Sequence, residues 1–500
     1  MSPAPRSWLD AARVYADEQG VPGAVVEALD AFAAPDPRGG PPPPVEEAWP
    51  GTFAAFAVGL APPDGAAIAA ALTDIDAAQA AMFARRVLSV DALLSGRQDP
   101  TGLLLQTGLR QRLAGILARP ERRTLRVRAL ADFYWSVASR ERHRDTLAPT
   151  LRSRVGALDW AAVFPGIVHA RVAGPTATGP VHINVLRVDP RRLDVRVVDA
   201  RGRDGSGAGL VDVARRYGAL AGISGGFFLY SEPDIAPPER RHDPVGLLLT
   251  GGRVRSLPAL RRGCLLARPG AVGIEQGGLP GLAVELGPIV LRPSDEQVIT
   301  RAQRTVGPDV ASVAIRADRV LAVGRSLPVP LTGCVITARH PRELDGITPG
   351  APVRCAAPLL DDAPASDGIA GGPILLRDGA PVLDLPAEDF WGTAPPVTFS
   401  QDETGDRNLL PRMAVGVDGE GRLLCAAVDG RSERALGMTL AELAELMAML
   451  GCRDALNLDG GSSKRMVVRD ELVDLSSTEV AAGAPGRVRP IYTAVLFTGR

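Results

Sequence analysis

His182-Ile183-Asn184-Val185-Leu186-Arg187-Val188 and Leu193-Asp194-Val195-Arg196-Val197-Val198 set the fold class. Both runs are β-branched and alternate in polarity, and Asp189-Pro190-Arg191-Arg192 between them reads as a turn, so the pair is expected to form a hairpin. The same signature recurs downstream. Leu247–Thr250 faces Arg253–Leu257 across Gly251-Gly252, and Val313–Arg316 faces Val320–Val323 across Ala317-Asp318. Ile374–Arg377 is followed by Asp378-Gly379 and Val382-Leu383, and Met413–Val417 by Asp418-Gly419-Glu420-Gly421 and Arg422–Val428. Glycine in such turns supplies the positive φ that tight hairpins need.

Helical signals are few in this region. Met438–Leu450 opens with the capping-box pair Thr439 and Glu442, stops at Gly451, and aligns Leu443, Leu446, Met447 and Leu450 on one face. Leu210–Tyr217 is a second expected helix. The prediction is an α+β fold, a mostly antiparallel sheet system with a few covering helices.

Upstream the pattern differs. A chain of 500 residues is long enough for two to four units. Residues 1–50 include four consecutive prolines, Pro41–Pro44, and read as a Pro-rich arm or linker. Residues 51–154 carry Ala- and Leu-rich runs such as Ala66–Leu72 and Ala77–Leu94 without strand alternation. They are expected to form a small all-helical domain. Residues 155–500 make up the sheet-rich unit.

The net charge of -1 gives no electrostatic footprint for nucleic acid. Basic residues are almost all arginine, with one lysine, Lys464. The five cysteines form no C-x-x-C pair and read as buried thiols. The N-terminus shows no apolar signal-peptide core and no stretch is apolar enough for a membrane span. A cytoplasmic location is therefore expected. Nothing in the pattern sets an oligomeric state.

Four segments place glycines or polar residues where strands end. Ser224-Gly225-Gly226-Phe227-Phe228 and Gly371-Gly372-Pro373 are turns at which backbone could approach a ligand. Arg412 precedes an apolar strand, and its planar fork suits phosphate; Asp429, then Arg431, closes the next strand. Asn457 and Asp459 alternate with Leu456 and Leu458, so amide and carboxylate share one face. Gly460, Gly461 and Ser462 then offer successive N–H groups for an anion-binding nest. Each segment alone also reads as an ordinary turn. The histidines, 143, 169, 182, 242 and 340, show no spacing that marks a base.

In order and spacing these segments resemble the phosphodiester glycosidase family, typified by N-acetylglucosamine-1-phosphodiester α-N-acetylglucosaminidase and including bacterial exopolysaccharide-related homologues. The family pattern runs P-R-T-A-x-G, D-G-R, G-M-T-L-x-E-L-A and A-L-N-L-D-G-G-G-S-S. Here stand Pro411-Arg412-Met413-Ala414-Val415-Gly416, Asp429-Gly430-Arg431, Gly437–Ala444 and Ala455–Ser463. Ser224–Phe228, Gly371–Pro373 and Arg489-Pro490 match its N-G-G-F-F, G-G-P and R-P elements. The resemblance spans about residues 155–500. Ser224 replaces an asparagine, Met413 a threonine, and Ser462 the third glycine.

The resemblance implies a hydrolase that attacks the anomeric carbon of a sugar-1-phosphodiester, releasing free sugar and a phosphomonoester. Asp459 is the expected carboxylate that aids attack, as base or nucleophile, with Asp429 as the second carboxylate and Asn457 orienting the substrate. Arg412 and the Gly460-Gly461-Ser462 backbone would hold phosphate, and Ser224, Gly225, Gly226, Gly371, Gly372 and Arg431 would line the substrate. No cofactor is marked with certainty; a divalent cation, calcium or magnesium, held by Asp459 and Asp429 together with phosphate oxygens, is compatible with these residues. The expected partner is a small-molecule or glycan sugar phosphodiester. The competing readings are a non-catalytic sugar-phosphate-binding module and a phosphodiesterase that breaks the P–O bond.

Overall fold

The computed structural model describes residues 146–500 apart from 177–178, 229–241, 301–308, 331, 389, 391–408, 431–433 and 477–487. The arm expected at 1–50, almost all of the helical unit expected at 51–154, and Arg431 lie outside the described residues.

Nine strands and three helices position the site. The strands are β1 (Val181–Val188), β2 (Leu193–Asp199), β3 (Ala219–Ser224), β4 (Asp367–Ala370), β5 (Ile374–Arg377), β6 (Arg412–Asp418), β7 (Leu423–Val428), β8 (Cys452–Leu458) and β9 (Thr493–Gly499). The helices are α1 (Pro149–Gly156), α2 (Leu210–Tyr217) and α3 (Leu440–Met449). An eight-stranded sheet runs Ala161–Phe164, Ile167–Gly174, β1, β7, β6, β8, β5, Ala380–Pro381. A second sheet runs Glu471–Leu472, Met466–Val468, β3, β9, β2, and a third places β4 between Leu248–Thr250 and Gly263–Arg268. Pairing throughout these three sheets is antiparallel.

The eight-stranded sheet is covered on both faces, which is why β7 is buried along its whole length instead of alternating. One face packs Val185, Ala414, Leu424, Ala426 and Ala455 against Leu440, Leu443, Leu446 and Met447 of α3 and Leu151 and Val155 of α1. The other face packs Leu186, Val188, Met413, Val415, Cys425 and Leu458 against Val195, Val197, Ile223, Val495 and Phe497 of the second sheet. Each fully buried aliphatic side chain contributes about 1.5–3 kcal/mol relative to exposure. α2 closes the outer face of the second sheet through Leu210, Val213 and Ala214.

Both expected helices are present, and α3 has its cap. Thr439 accepts from the Glu442 N–H, the Glu442 side chain accepts from the Thr439 N–H, and Gly451 follows at φ 88°. Four of the expected hairpins form. They join Leu248–Thr250 to Arg253–Ser256, Ala311–Arg316 to Arg319–Arg325, strand β5 to the pair Ala380–Pro381, and β6 to β7.

The hairpin expected of β1 and β2 does not form. β1 pairs with Ile167–Gly174 and β7, and β2 pairs with β9 in a different sheet. The Asp189–Arg192 link carries the chain around a corner, so Val188 and Leu193 meet face to face in the inter-sheet core and not edge to edge. Among the described residues no helix is long and apolar enough to cross a membrane.

Candidate active site

The four segments singled out in the sequence converge on one end of the eight-stranded sheet. β1 and β6 begin there, β7 and β8 end there, and β5 begins beside them. Met413 is opposite Leu458, so Arg412 at the start of β6 adjoins Asp459 just past β8. Backbone bonds stitch the segments together. The Asp459 N–H donates to the Gly225 carbonyl (3.3 Å), the Gly372 N–H to the Asn457 carbonyl (2.7 Å), and the Gly461 N–H to the Pro411 carbonyl (2.9 Å).

The glycines are explained by this packing. A Cβ on Gly226 would run into the Ala370 carbonyl oxygen, one on Gly371 into the Asn457 carbonyl oxygen, and one on Gly225 into Thr493. They are small because the chain packs closely on itself there, where the sequence suggests room for a ligand. Ser224 is likewise occupied: its hydroxyl accepts from the Arg465 N–H at 3.0 Å. Gly461 takes φ 57° to begin the single 3-10 turn Gly461–Ser463, which swings the chain from β8 toward the second sheet.

Arg412 and Asn457 face α3. Arg412 is buried, and its Nε donates to the Met438 carbonyl at 3.0 Å. Asn457 is opposite Ala414; its Nδ2 donates to the Gly372 carbonyl at 2.8 Å, and its Oδ1 is sealed from solvent without a hydrogen-bond partner. Buried acceptors are normally paired, so Oδ1 is an open demand for a donor.

Asp429 is on the opposite face, toward the second sheet. One of its oxygens takes the Lys464 ammonium and the Leu475 N–H (3.1 Å for the latter); the other takes Nδ1 of His182. Lys464 also reaches Asp474 at 2.9 Å, and Arg465 NH1 reaches the same carboxylate at 2.8 Å. Burial, the strongest single influence, pushes the Asp429 pKa up, yet Lys464 and His182 together pull it below the ordinary aspartate value. Asp429 is thus a committed anion. With neighbouring strands about 4.8 Å apart, the Asp429 and Asp459 backbones, two strands removed, are roughly 10 Å apart.

His182 is the site residue that the sequence does not announce. It opens an apolar strand, and its partner is 247 residues away; no local spacing marks such a pair. Lys464 is visible as the single lysine, but its burial is not. Among the described residues no group of three or more His, Cys, Asp or Glu is gathered for a metal ion. Asp429 is already matched to a lysine, so it does not fit a cation shared with Asp459.

Comparison with known proteins gives a family model, described as phosphodiester glycosidase, matching residues 309–498. That stretch holds Arg412, Asp429, Asn457, Asp459 and Lys464; His182 and Ser224 precede it. An uncharacterized SPbeta prophage-derived protein of Bacillus subtilis, YomE, is 38% identical over 80 residues, which is 16% of this chain and 12% of that protein. Among solved structures, a hypothetical protein from Synechocystis aligns at TM-score 0.45 and 19% identity, over 69% of this chain and 64% of that one. A putative exported protein from Burkholderia pseudomallei K96243 aligns at TM-score 0.45 and 23% identity, over 65% and 75%. The catalytic domain of zebrafish N-acetylglucosamine-1-phosphodiester alpha-N-acetylglucosaminidase, auto-inhibited by its pro-peptide, aligns at TM-score 0.37 and 17% identity, over 69% and 88%.

Proposed function

We propose that the phosphodiester glycosidase domain at residues 309–498 hydrolyses the glycosidic bond of a sugar-1-phosphodiester, yielding free sugar and a phosphomonoester. The observation that carries this reading is the row of a cation, an amide and a carboxylate on adjacent strand ends: Arg412 on β6, Asn457 on β8 and Asp459 just past it. A phosphomonoester is a competent leaving group. The protein must therefore stabilise negative charge building on phosphate and positive charge building on the sugar ring. Arg412 and the backbone of Gly460 and Ser462 supply the first, and Asp459 the second; the Gly461 N–H, expected to join them, is taken by the Pro411 carbonyl. Asn457, its Nδ2 donating to the Gly372 carbonyl, braces the strand end beside Asp459.

The test is hydrolysis of a panel of sugar phosphodiesters, including UDP-N-acetylglucosamine, by wild type and Asp459→Ala. Free sugar from wild type and a loss of about 10²–10⁴-fold in the variant are expected. Oxygen-18 from water should enter the sugar. Label in the phosphate instead would mean P–O cleavage, and saturable binding without turnover in both proteins would mean a binding module.

A further inference from the structure

Lys464 is the one lysine in a chain with 56 Lys and Arg residues, and it is buried at the sheet end. Its ammonium, with Arg465, faces Asp429 and Asp474, so two cations meet two carboxylates and the four charges cancel. This fixes Asp429, and Asp429 in turn fixes His182. A carboxylate that accepts from Nδ1 holds the proton on Nδ1 and leaves Nε2 of the neutral ring with its lone pair. Among the described residues Nε2 has no partner; the only bond of the ring is the one to Asp429. The His182 side chain keeps 6% of its surface while that of Asp429 keeps 1%. The other groups on that face are engaged elsewhere: His169 Nε2 and Asn184 Oδ1 with each other at 3.1 Å, and Asn184 Nδ2 with the Val473 carbonyl at 3.0 Å. A structural bond to Asp429 alone would be met by an asparagine, whose Nδ2 occupies the place of Nδ1. The imidazole supplies a second nitrogen that the protein does not use.

We propose that His182 is the proton acceptor for the attacking water in the hydrolysis set out above, on which this inference rests. Asp429 fixes its tautomer, and Lys464 is the positioning residue that holds Asp429. The water oxygen forms its bond to the anomeric carbon while Nε2 takes one water proton. The bond from that carbon to the phosphate oxygen breaks, and its electron pair stays on the phosphate. The proton then passes from Nε2 to solvent or to the phosphomonoester. Asp459 is left with stabilising positive charge on the ring. The strand ends of β1, β7, β6 and β8 form one row, and after β8 the chain turns through Gly461–Ser463 into Met466–Val468 of the second sheet, on the side of His182.

His182→Asn keeps a donor to Asp429 and removes Nε2. It should fold as wild type, judged by its thermal transition, and lose about 10²–10⁴-fold in kcat with little change in KM. Lys464→Gln, which keeps a donor but no charge, should lower kcat, and Lys464→Arg should restore it. A His182→Asn protein that turns over like wild type overturns the proposal. If wild type hydrolyses nothing on the panel, the hydrolysis reading itself fails, and nitrogen-15 imidazole spectra still decide the dyad. A His182 ring protonated at Nδ1, whose Nε2 signal moves when a sugar phosphonate is added, sustains it. An Nε2–H tautomer, or no response to the phosphonate, overturns it.

Discussion

At the residue scale the cluster around Lys464 is the costliest feature to disturb. Its ammonium and the Asp429 and Asp474 carboxylates are each at most 1% exposed. Taking charges out of water is expensive and is repaid only while every partner is present. Lys464→Met leaves Asp429 buried without its cation, while Asp474 keeps Arg465, so unfolding in urea should show a loss of about 3–5 kcal/mol. A loss below about 1 kcal/mol would mean that water, and not Lys464, solvates Asp429 and Asp474. Ser224 illustrates the opposite case. The sequence presents it as a substitution for a family asparagine at a ligand-facing position, yet its hydroxyl accepts from the Arg465 N–H. Ser224→Ala should cost about 1 kcal/mol, the usual net value of one hydrogen bond.

At the element scale, local signals suffice where one segment satisfies itself. α3 carries its own start, face and stop, and Thr439→Ala should lower stability by about 1 kcal/mol through loss of the cap. The turn of β6 into β7 is also self-contained, because Asp418 Oδ1 accepts from the Glu420 and Arg422 N–H groups at 2.9 Å. β1 and β2 show where such reading stops. Alternation and a turn make a hairpin look natural, but β1 needs covered faces on both sides and finds its edge partners in Ile167–Gly174 and β7. The glycine pairs mislead in the same way. Gly226→Ala should destabilise by about 1–3 kcal/mol, since the added methyl meets the Ala370 carbonyl and backbone cannot yield as a side chain can. Calorimetry on the variant would show it; an unchanged transition would mean that β3 and β4 can part at that point.

Over the whole molecule, two buried carboxylates give the fold opposite dependences on acid. The Asp429 pKa is held below the ordinary value, so its contribution is present above the unfolded-state pKa and is lost as pH falls through the lower, folded one. Glu388 is the reverse. Burial pushes its pKa up, against the N–H groups of Gly263 and Ile374 and the charges of Arg262 and Arg377. Its folded form holds a proton more tightly, so stability falls as pH rises from the ordinary carboxylate range through the raised value. Asp429→Asn should therefore flatten the acid-side loss and Glu388→Gln the loss above it, both measured as thermal midpoints across pH.

The sequence by itself determined the α+β class, the helices α2 and α3, four of the hairpins and the identity of the polar residues at the strand ends. These are local: capping, periodicity and turn chemistry act over a few residues. The tertiary structure alone decided which sheet each strand joins, that the glycine pairs are packing joints, and that His182, Asp429 and Lys464 form one buried hydrogen-bonded chain. Those facts depend on pairings between residues as far as 247 positions apart. Burial on both faces of a sheet and the cost of an unmatched charge select such pairings, and neither leaves a mark in any short stretch of sequence.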